Sequence, residues 1–154
     1  MNGNHDVRDL LLCLNEAGAR YLVAGAYAVI YHTEPRYTKD FDVWVEPAPE
    51  NAQKVWMALL HFGAPMADLT VEDLCNPDIV FQMGVEPNRI DVIMDVEGLR
   101  FGEAWEKRVT STYEDQQVFI LSYDDTLLAK KAVARKQDQL DAQRLEAIKK
   151  KKKA

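Results

Sequence analysis

Cysteine is scarce: 154 residues hold two, Cys13 and Cys75, and they form no C-x-x-C pair. With three histidines besides, the chain offers neither a disulfide scaffold nor a zinc finger. Long hydrophobic runs are missing as well. No stretch approaches the roughly 18–20 apolar residues that cross a bilayer, which argues against an integral membrane protein. The first residues, Met-Asn-Gly-Asn-His-Asp, lack the positive start and apolar stretch of a signal peptide. The expectation is a soluble, cytoplasmic chain without a membrane partner.

A surplus of positive charge is also lacking. The formal net charge is −6, and five of the 19 basic residues are Lys149 to Lys153, so removing those five leaves −11. A body of that sign is a poor general binder of nucleic acid, which is held by clustered Lys and Arg. It is better suited to holding cations or docking on something basic. The lysine run itself reads as a solvated helix end and tail.

What is present is globular: 47% hydrophobic and 29% charged residues, at a length typical of one domain. The expected layout is a single domain over residues 1–148 and a lysine-rich tail over 149–154. Val7, Leu10, Leu11 and Leu14 recur at helical spacing before Gly18. Tyr21 to Ala24 reads as a short buried strand, followed at once by Gly25 and a short helix from Ala26 to Tyr31. Residues 39 to 45 alternate, with Phe41, Val43 and Val45 on one face and Asp40, Asp42 and Trp44 on the other. Pro47 and Pro49 introduce a helix with the stripe Ala52, Val55, Trp56, Leu59 and Leu60, stopped at Gly63.

Further on, Val71 to Leu74 reads as one helical turn. Asp78 to Gly84 and Arg89 to Met94 read as a hairpin joined through Val85-Glu86-Pro87-Asn88. Phe101 to Arg108 reads as a short helix and Val118 to Leu121 as a last strand. Ser122 with Asp125 predicts a helix start before the apolar set Leu127, Leu128, Ala132 and Val133. A final helix carries Leu140, Leu145 and Ile148. The fold class is therefore α/β (α+β), a small mixed sheet flanked by helices with a helical C-terminus.

Asp40 and Asp42 stand two apart on a strand, so their side chains share a face and their Cα atoms lie roughly 6.5–7 Å apart. Two such carboxylates can bridge a hard divalent cation. They can equally be the solvent face of a half-exposed strand. Asp91, in the Arg89–Met94 strand, offers a third carboxylate; Asp95 competes with it but falls past the expected strand end. Three carboxylates on one patch repel unless a cation compensates them. Gly25 sits at a strand-to-helix junction, where backbone can approach a phosphate. Arg36, Thr38 and Lys39 put two cations and a hydroxyl just ahead of the carboxylates. These are the parts that phosphoryl chemistry uses. His32 and His61 have no partner at metal spacing, and Trp44 reads either as a stacking platform or as packing under a helix.

The run Leu22-Val23-Ala24-Gly25-Ala26-Tyr27-Ala28, followed by Pro35-Arg36-Tyr37-Thr38-Lys39-Asp40-Phe41-Asp42-Val43-Trp44-Val45, resembles the nucleotidyltransferase-fold proteins of the abortive-infection toxin type. The likeness continues through Phe81-Gln82-Met83-Gly84, Arg89-Ile90-Asp91-Val92-Ile93, and Phe101, Glu103, Ala104 and Trp105. It ends in the helical segment carrying Asp125, Lys130, Lys131, Ala132, Arg135, Asp138 and Asp141, and so spans roughly residues 10 to 145. It implies a polymerase-beta-like transfer of NMP from an NTP to a hydroxyl on RNA, protein or a small molecule. By the same resemblance Asp40, Asp42 and Asp91 would be catalytic and hold Mg²⁺. Gly25 and Ala26 would cradle the phosphates, and Lys130, with Arg36 and Thr38, would contact the nucleotide. An antitoxin-like protein partner is implied too.

The chain departs from the pattern at Ala24-Gly25-Ala26, where the family has Gly-Gly or Gly-Ser, so no serine hydroxyl serves the triphosphate there. It departs again at Ala134-Arg135-Lys136-Gln137-Asp138, where Gly-Arg-Pro-Lys-Asp is usual. Both departures bear on nucleotide binding more than on metal binding. The alternatives are a catalytically weak or inactive nucleotide-binding or scaffold protein of the same fold, or a subunit of a protein complex.

Overall fold

Helix α1 (His5–Ala17) forms where the leucine spacing predicts it, and buries Val7, Leu10, Leu11 and Leu14. The computed structural model describes residues 5–33, 40–84, 89–133 and 136–153. Strand β1 (Tyr21–Ala24) is buried along its whole length and runs without a loop into helix α2 (Gly25–His32). Strand β2 (Asp40–Val45) pairs antiparallel with β1, setting Ala24 opposite Asp42.

Helix α3 (Pro49–Phe62) starts on its proline and ends at Gly63, whose φ of +90° turns its N–H onto the Leu59 and Leu60 carbonyls. The expected stripe needs correction here. Ala52, Val55 and Leu59 are buried and Trp56 is half-buried, but Leu60 faces out at 53% exposure. Asn51 lies inside instead, because its side-chain oxygen accepts the Arg20 N–H and its amide NH₂ donates to the Arg20 and Glu46 carbonyls.

A 3-10 turn at Glu72–Cys75 leads to strand β3 (Val80–Met83), which pairs antiparallel with β4 (Arg89–Ile93). The connection predicted at Val85 to Asn88 lies outside the described residues. Helix α4 (Phe101–Glu106) then precedes two strands, β5 (Val109–Tyr113) and β6 (Gln116–Ile120). Only the second was expected. The hairpin between them turns on Glu114, a non-glycine residue at φ +53°, so the usual glycine or asparagine signal is absent.

Together the strands form one six-stranded mixed sheet in the order β3-β4-β2-β1-β6-β5. Pairs β2–β4 and β1–β6 are parallel. Helices α1 and α3 pack on each other, and α1, α2, α3 and α4 share one continuous apolar core with the sheet. Trp44 belongs to it, 2% exposed with its ring edge-on to Phe101, so it packs under α4 and is no stacking platform.

Helix α5 (Tyr123–Ala132) is capped by Ser122, whose hydroxyl accepts the Asp125 N–H, as predicted. Its buried side was not predicted. Asp125 and Thr126 are inside while Leu128 is 52% exposed and Ala132 is also exposed. The helix presents polar groups inward because Asp125 receives the Lys107 ammonium at 2.9 Å and Thr126 donates to the Ser122 carbonyl. Helix α6 (Lys136–Lys153) packs on α5 and buries Ala142 and Leu145; Leu140 is 40% exposed. Among the described residues, no helix is long and apolar enough to cross a membrane.

Candidate active site

Four strands align one residue each across the middle of the sheet. Ala24 of β1 pairs with Asp42 of β2, Asp42 with Asp91 of β4, and Asp91 with Gln82 of β3. Residues paired on neighbouring strands point to the same face, with the strands about 4.8 Å apart. Asp42 and Asp91 are therefore side-by-side carboxylates, and Asp40 lies two residues up the same face of β2. Parallel pairing of β2 and β4 brings them together, a contact between residues 49 positions apart in the chain.

Gly25 closes one side. Its φ is +61°, and a Cβ there would stand 2.1 Å from Asp42 Oδ2. Both the left-handed backbone and the close approach admit glycine alone. Ala24 brings no side-chain cap to α2, and Ala26 stands half-buried in the first turn.

Arg89, paired with Asp40 across the parallel strands, spans two of the three carboxylates. Its guanidinium meets Asp91 at 3.1 and 3.3 Å and Asp40 at 3.1 Å. It supplies the compensating charge for both. Asp42 is in a harsher setting: burial first, then Asp91 and Asp40, push its carboxyl up to about 6, opposed by Lys130 and Arg89. Burial also raises Asp91, and Arg89 draws it back down.

Lys130, on α5, reaches the same place. With Gly25, Asp42, Asp95 and Asp138 it lines a cavity of about 170 Å³. Its ammonium donates to Asp138 Oδ1 at 2.8 Å and stands 3.5 Å from Asp141 Oδ2.

The structure thus gathers Asp40, Asp42, Asp91, Gly25, Ala26 and Lys130 from four elements. Arg36 and Thr38 lie outside the described residues. Asp95 is exposed and beyond the end of β4, though it lines the cavity rim. His32 sets its Nε2 2.7 Å from the Leu121 carbonyl. Sequence reasoning assigned no role to Arg89, Asp138 or Asp141. Arg89 had a signal, since it stands two residues before Asp91 on one strand face; Asp138 and Asp141 had another, as acids at i, i+3 on a helix side that buries Leu145.

The donors are all carboxylate oxygens, the set that suits a hard cation such as Mg²⁺. Among the described residues no three acidic, histidine or cysteine side chains are gathered into a ready-made metal cage, and Arg89 is drawn in between Asp40 and Asp91. Burial first, and then Asp91 and Asp40, raise the Asp42 carboxyl, and a bound cation is one general way such a carboxylate is relieved.

No protein-family model matches the chain. Nor does any curated protein match it. Among solved structures, the fold is similar to that of the lincosamide antibiotic adenylyltransferase LnuA in its lincomycin-bound form, with a TM-score of 0.59 and 15% identity. The likeness covers 96% of this chain and 98% of that one. The fold is nucleotidyltransferase-like: a six-stranded mixed sheet with helices and a helical C-terminus.

Proposed function

We propose that this chain transfers an NMP from an NTP to a hydroxyl acceptor in a Mg²⁺-dependent reaction. The observation that carries the reading is the register of Asp42 beside Asp91, facing a glycine turn, within a nucleotidyltransferase fold. Asp40, Asp42 and Asp91 would hold the cation, in competition with the Arg89 guanidinium for the oxygens of Asp40 and Asp91. Bound there, Mg²⁺ would supply the charge that neutralises the triphosphate and polarises the reacting phosphoryl group. Gly25 and the first N–H groups of α2 would face the phosphates. Lys130 would add positive charge from the α5 side. Asp91, completing the cation site, would favour loss of the acceptor hydroxyl's proton to solvent as its oxygen bonds to the α-phosphorus and pyrophosphate leaves.

For the acceptor, a small hydroxyl compound leads over RNA and protein. The acidic body repels a polyanion, and the structural neighbour, matched over nearly its whole length, is a small-molecule enzyme. The toxin-type role and an antitoxin-like partner stand on the sequence resemblance alone; co-purification of a stable hetero-complex tests them.

The test of the activity is label transfer. Each α-labelled NTP is incubated with the protein, Mg²⁺, and either cell extract or a panel of hydroxyl compounds, beside Asp42→Asn. Transfer by the wild type alone supports the reading, and the labelled species names the acceptor. Mg²⁺-dependent NTP binding without transfer favours the nucleotide-binding or scaffold alternative. Neither binding nor transfer overturns it.

A further inference from the structure

The C-terminal helix reaches this site through two acids, Asp138 in the cavity lining and Asp141 one turn further along α6. We infer that Asp138 and Asp141 of α6 are positioning residues, which hold the Lys130 ammonium of α5 at the cavity beside Asp42 and Gly25. The inference rests on the nucleotidyltransferase reading and adds to it the part played by α6.

Three observations support it. First, the ion pairs are buried on every side: the side chains of Lys130, Asp138 and Asp141 are 13%, 3% and 2% exposed. Such groups are expensive to desolvate, and buried ion pairs seldom stabilise a fold better than apolar packing would. Ala142 and Leu145 already supply α6 with an apolar docking face, so fold stability does not account for two more buried carboxylates. Second, both acids reach the same ammonium. Three residues apart on a single helix face, they constrain where it sits. A lysine side chain is long and flexible and loses rotamer freedom when held. Third, Lys130 lies in the cavity wall with Gly25 and Asp42, and its charge is felt at Asp42. Asp138 and Asp141 thus hold a cation where a triphosphate would meet the carboxylates.

Positioning and charge predict opposite signs, and this makes the inference testable. Binding of the preferred nucleotide, as its non-transferable α,β-methylene analogue with Mg²⁺, is measured by calorimetry for wild type, Asp138→Asn, Asp138→Glu, Lys130→Met and the Lys130→Met/Asp138→Asn double variant. Positioning predicts about a tenfold weaker Kd for Asp138→Asn, partial recovery for Asp138→Glu, and a double variant no weaker than Lys130→Met alone, since Asp138 acts through Lys130. Additive losses, an unchanged Kd or a tighter Kd for Asp138→Asn would each overturn it; a tighter Kd would make α6 a brake on Lys130.

A second arm needs no nucleotide. Acetylation of Lys130 by an amine-directed reagent, followed by mass spectrometry, is expected to be slow in the wild type and at least fivefold faster in Asp138→Asn and Asp141→Asn. Exposed Lys54 on α3 serves as the folding control and keeps its rate. Unaltered labelling of Lys130 overturns the hold by α6 by itself. A wild type that binds no nucleotide while the labelling behaves as expected overturns the nucleotidyltransferase reading, and with it the role given to Lys130.

Discussion

A half-buried carboxylate pushed up to about 6 destabilises the fold that carries it at neutral pH. For Asp42 the folded value lies above the ordinary value of 3.8, so the folded state binds more protons between those limits. Its contribution to stability is therefore best below about pH 4, declines as pH rises toward 6, and stays lost above that. The metal-free Asp42→Asn variant is expected to be more stable than wild type at pH 7, by about 2–3 kcal/mol at most, and to show a flatter profile between pH 4 and 6. Urea unfolding across pH 4–8 measures this. Added Mg²⁺ should stabilise the wild type and leave the variant unmoved; equal stability of the two proteins at pH 7 would remove the argument from Asp42. Gly25 gives the companion prediction. Gly25→Ala adds left-handed strain of about 1–2 kcal/mol and drives Asp42 Oδ2 from its place. The expected result is a folded protein, by thermal melt, that binds Mg²⁺-nucleotide at least tenfold more weakly. Both residues were legible in sequence, one as half of a D-x-D strand and the other as a strand-to-helix glycine. Their mutual contact was not, because it joins side chain to backbone across two strands.

At the scale of elements, local pattern was a good guide wherever apolar residues do the burying and a poor one wherever polar residues do. α1, β1, β2 and β4 follow their periodicity. α5 does not: its expected apolar set includes the exposed Leu128, while Asp125 and Thr126 go inside on hydrogen bonds that no periodicity announces. β5 escaped for a related reason, since its Thr-Ser-Thr centre and its Glu114 turn carry neither apolar alternation nor a glycine. Asn51 shows how much such a polar group can hold. One side chain joins the start of α3 to the backbone of Arg20, ahead of β1, and of Glu46, after β2. Asn51→Ala strands those buried groups and should lower unfolding free energy by about 2–4 kcal/mol in chemical denaturation. By contrast Ser122→Ala removes only a cap, and about 1 kcal/mol is expected. A loss for Asn51→Ala no larger than that of Ser122→Ala would show that the α3 junction is not held this way.

For the whole molecule the decisive feature is the strand order. β2 lies between β1 and β4, so one face of a six-residue strand is approached by the glycine turn from one side and by Asp91 from the other. The helical C-terminus then closes over the same edge through Lys130. The lysine run lies beyond Leu145, the last buried residue named on α6. Deleting residues 149–154 is therefore expected to leave the melting temperature and nucleotide affinity within error while shifting the net charge toward −11. A loss of nucleotide affinity on deletion would assign the run to the site.

What the sequence determined by itself is whatever follows from near neighbours: a mixed α/β chain, the helix stops at Gly18 and Gly63, the Ser122 cap, and two aspartates on one strand face. These depend on 2.0- and 3.6-residue periods and on backbone preferences a few residues long. What only the tertiary structure decided is the company those aspartates keep. Asp91 beside Asp42, Arg89 across Asp40 and Asp91, and Lys130 held by Asp138 and Asp141 depend on strand order, register and helix docking. Those are set by burying a shared core among distant segments, and burial of that kind leaves no local period to read.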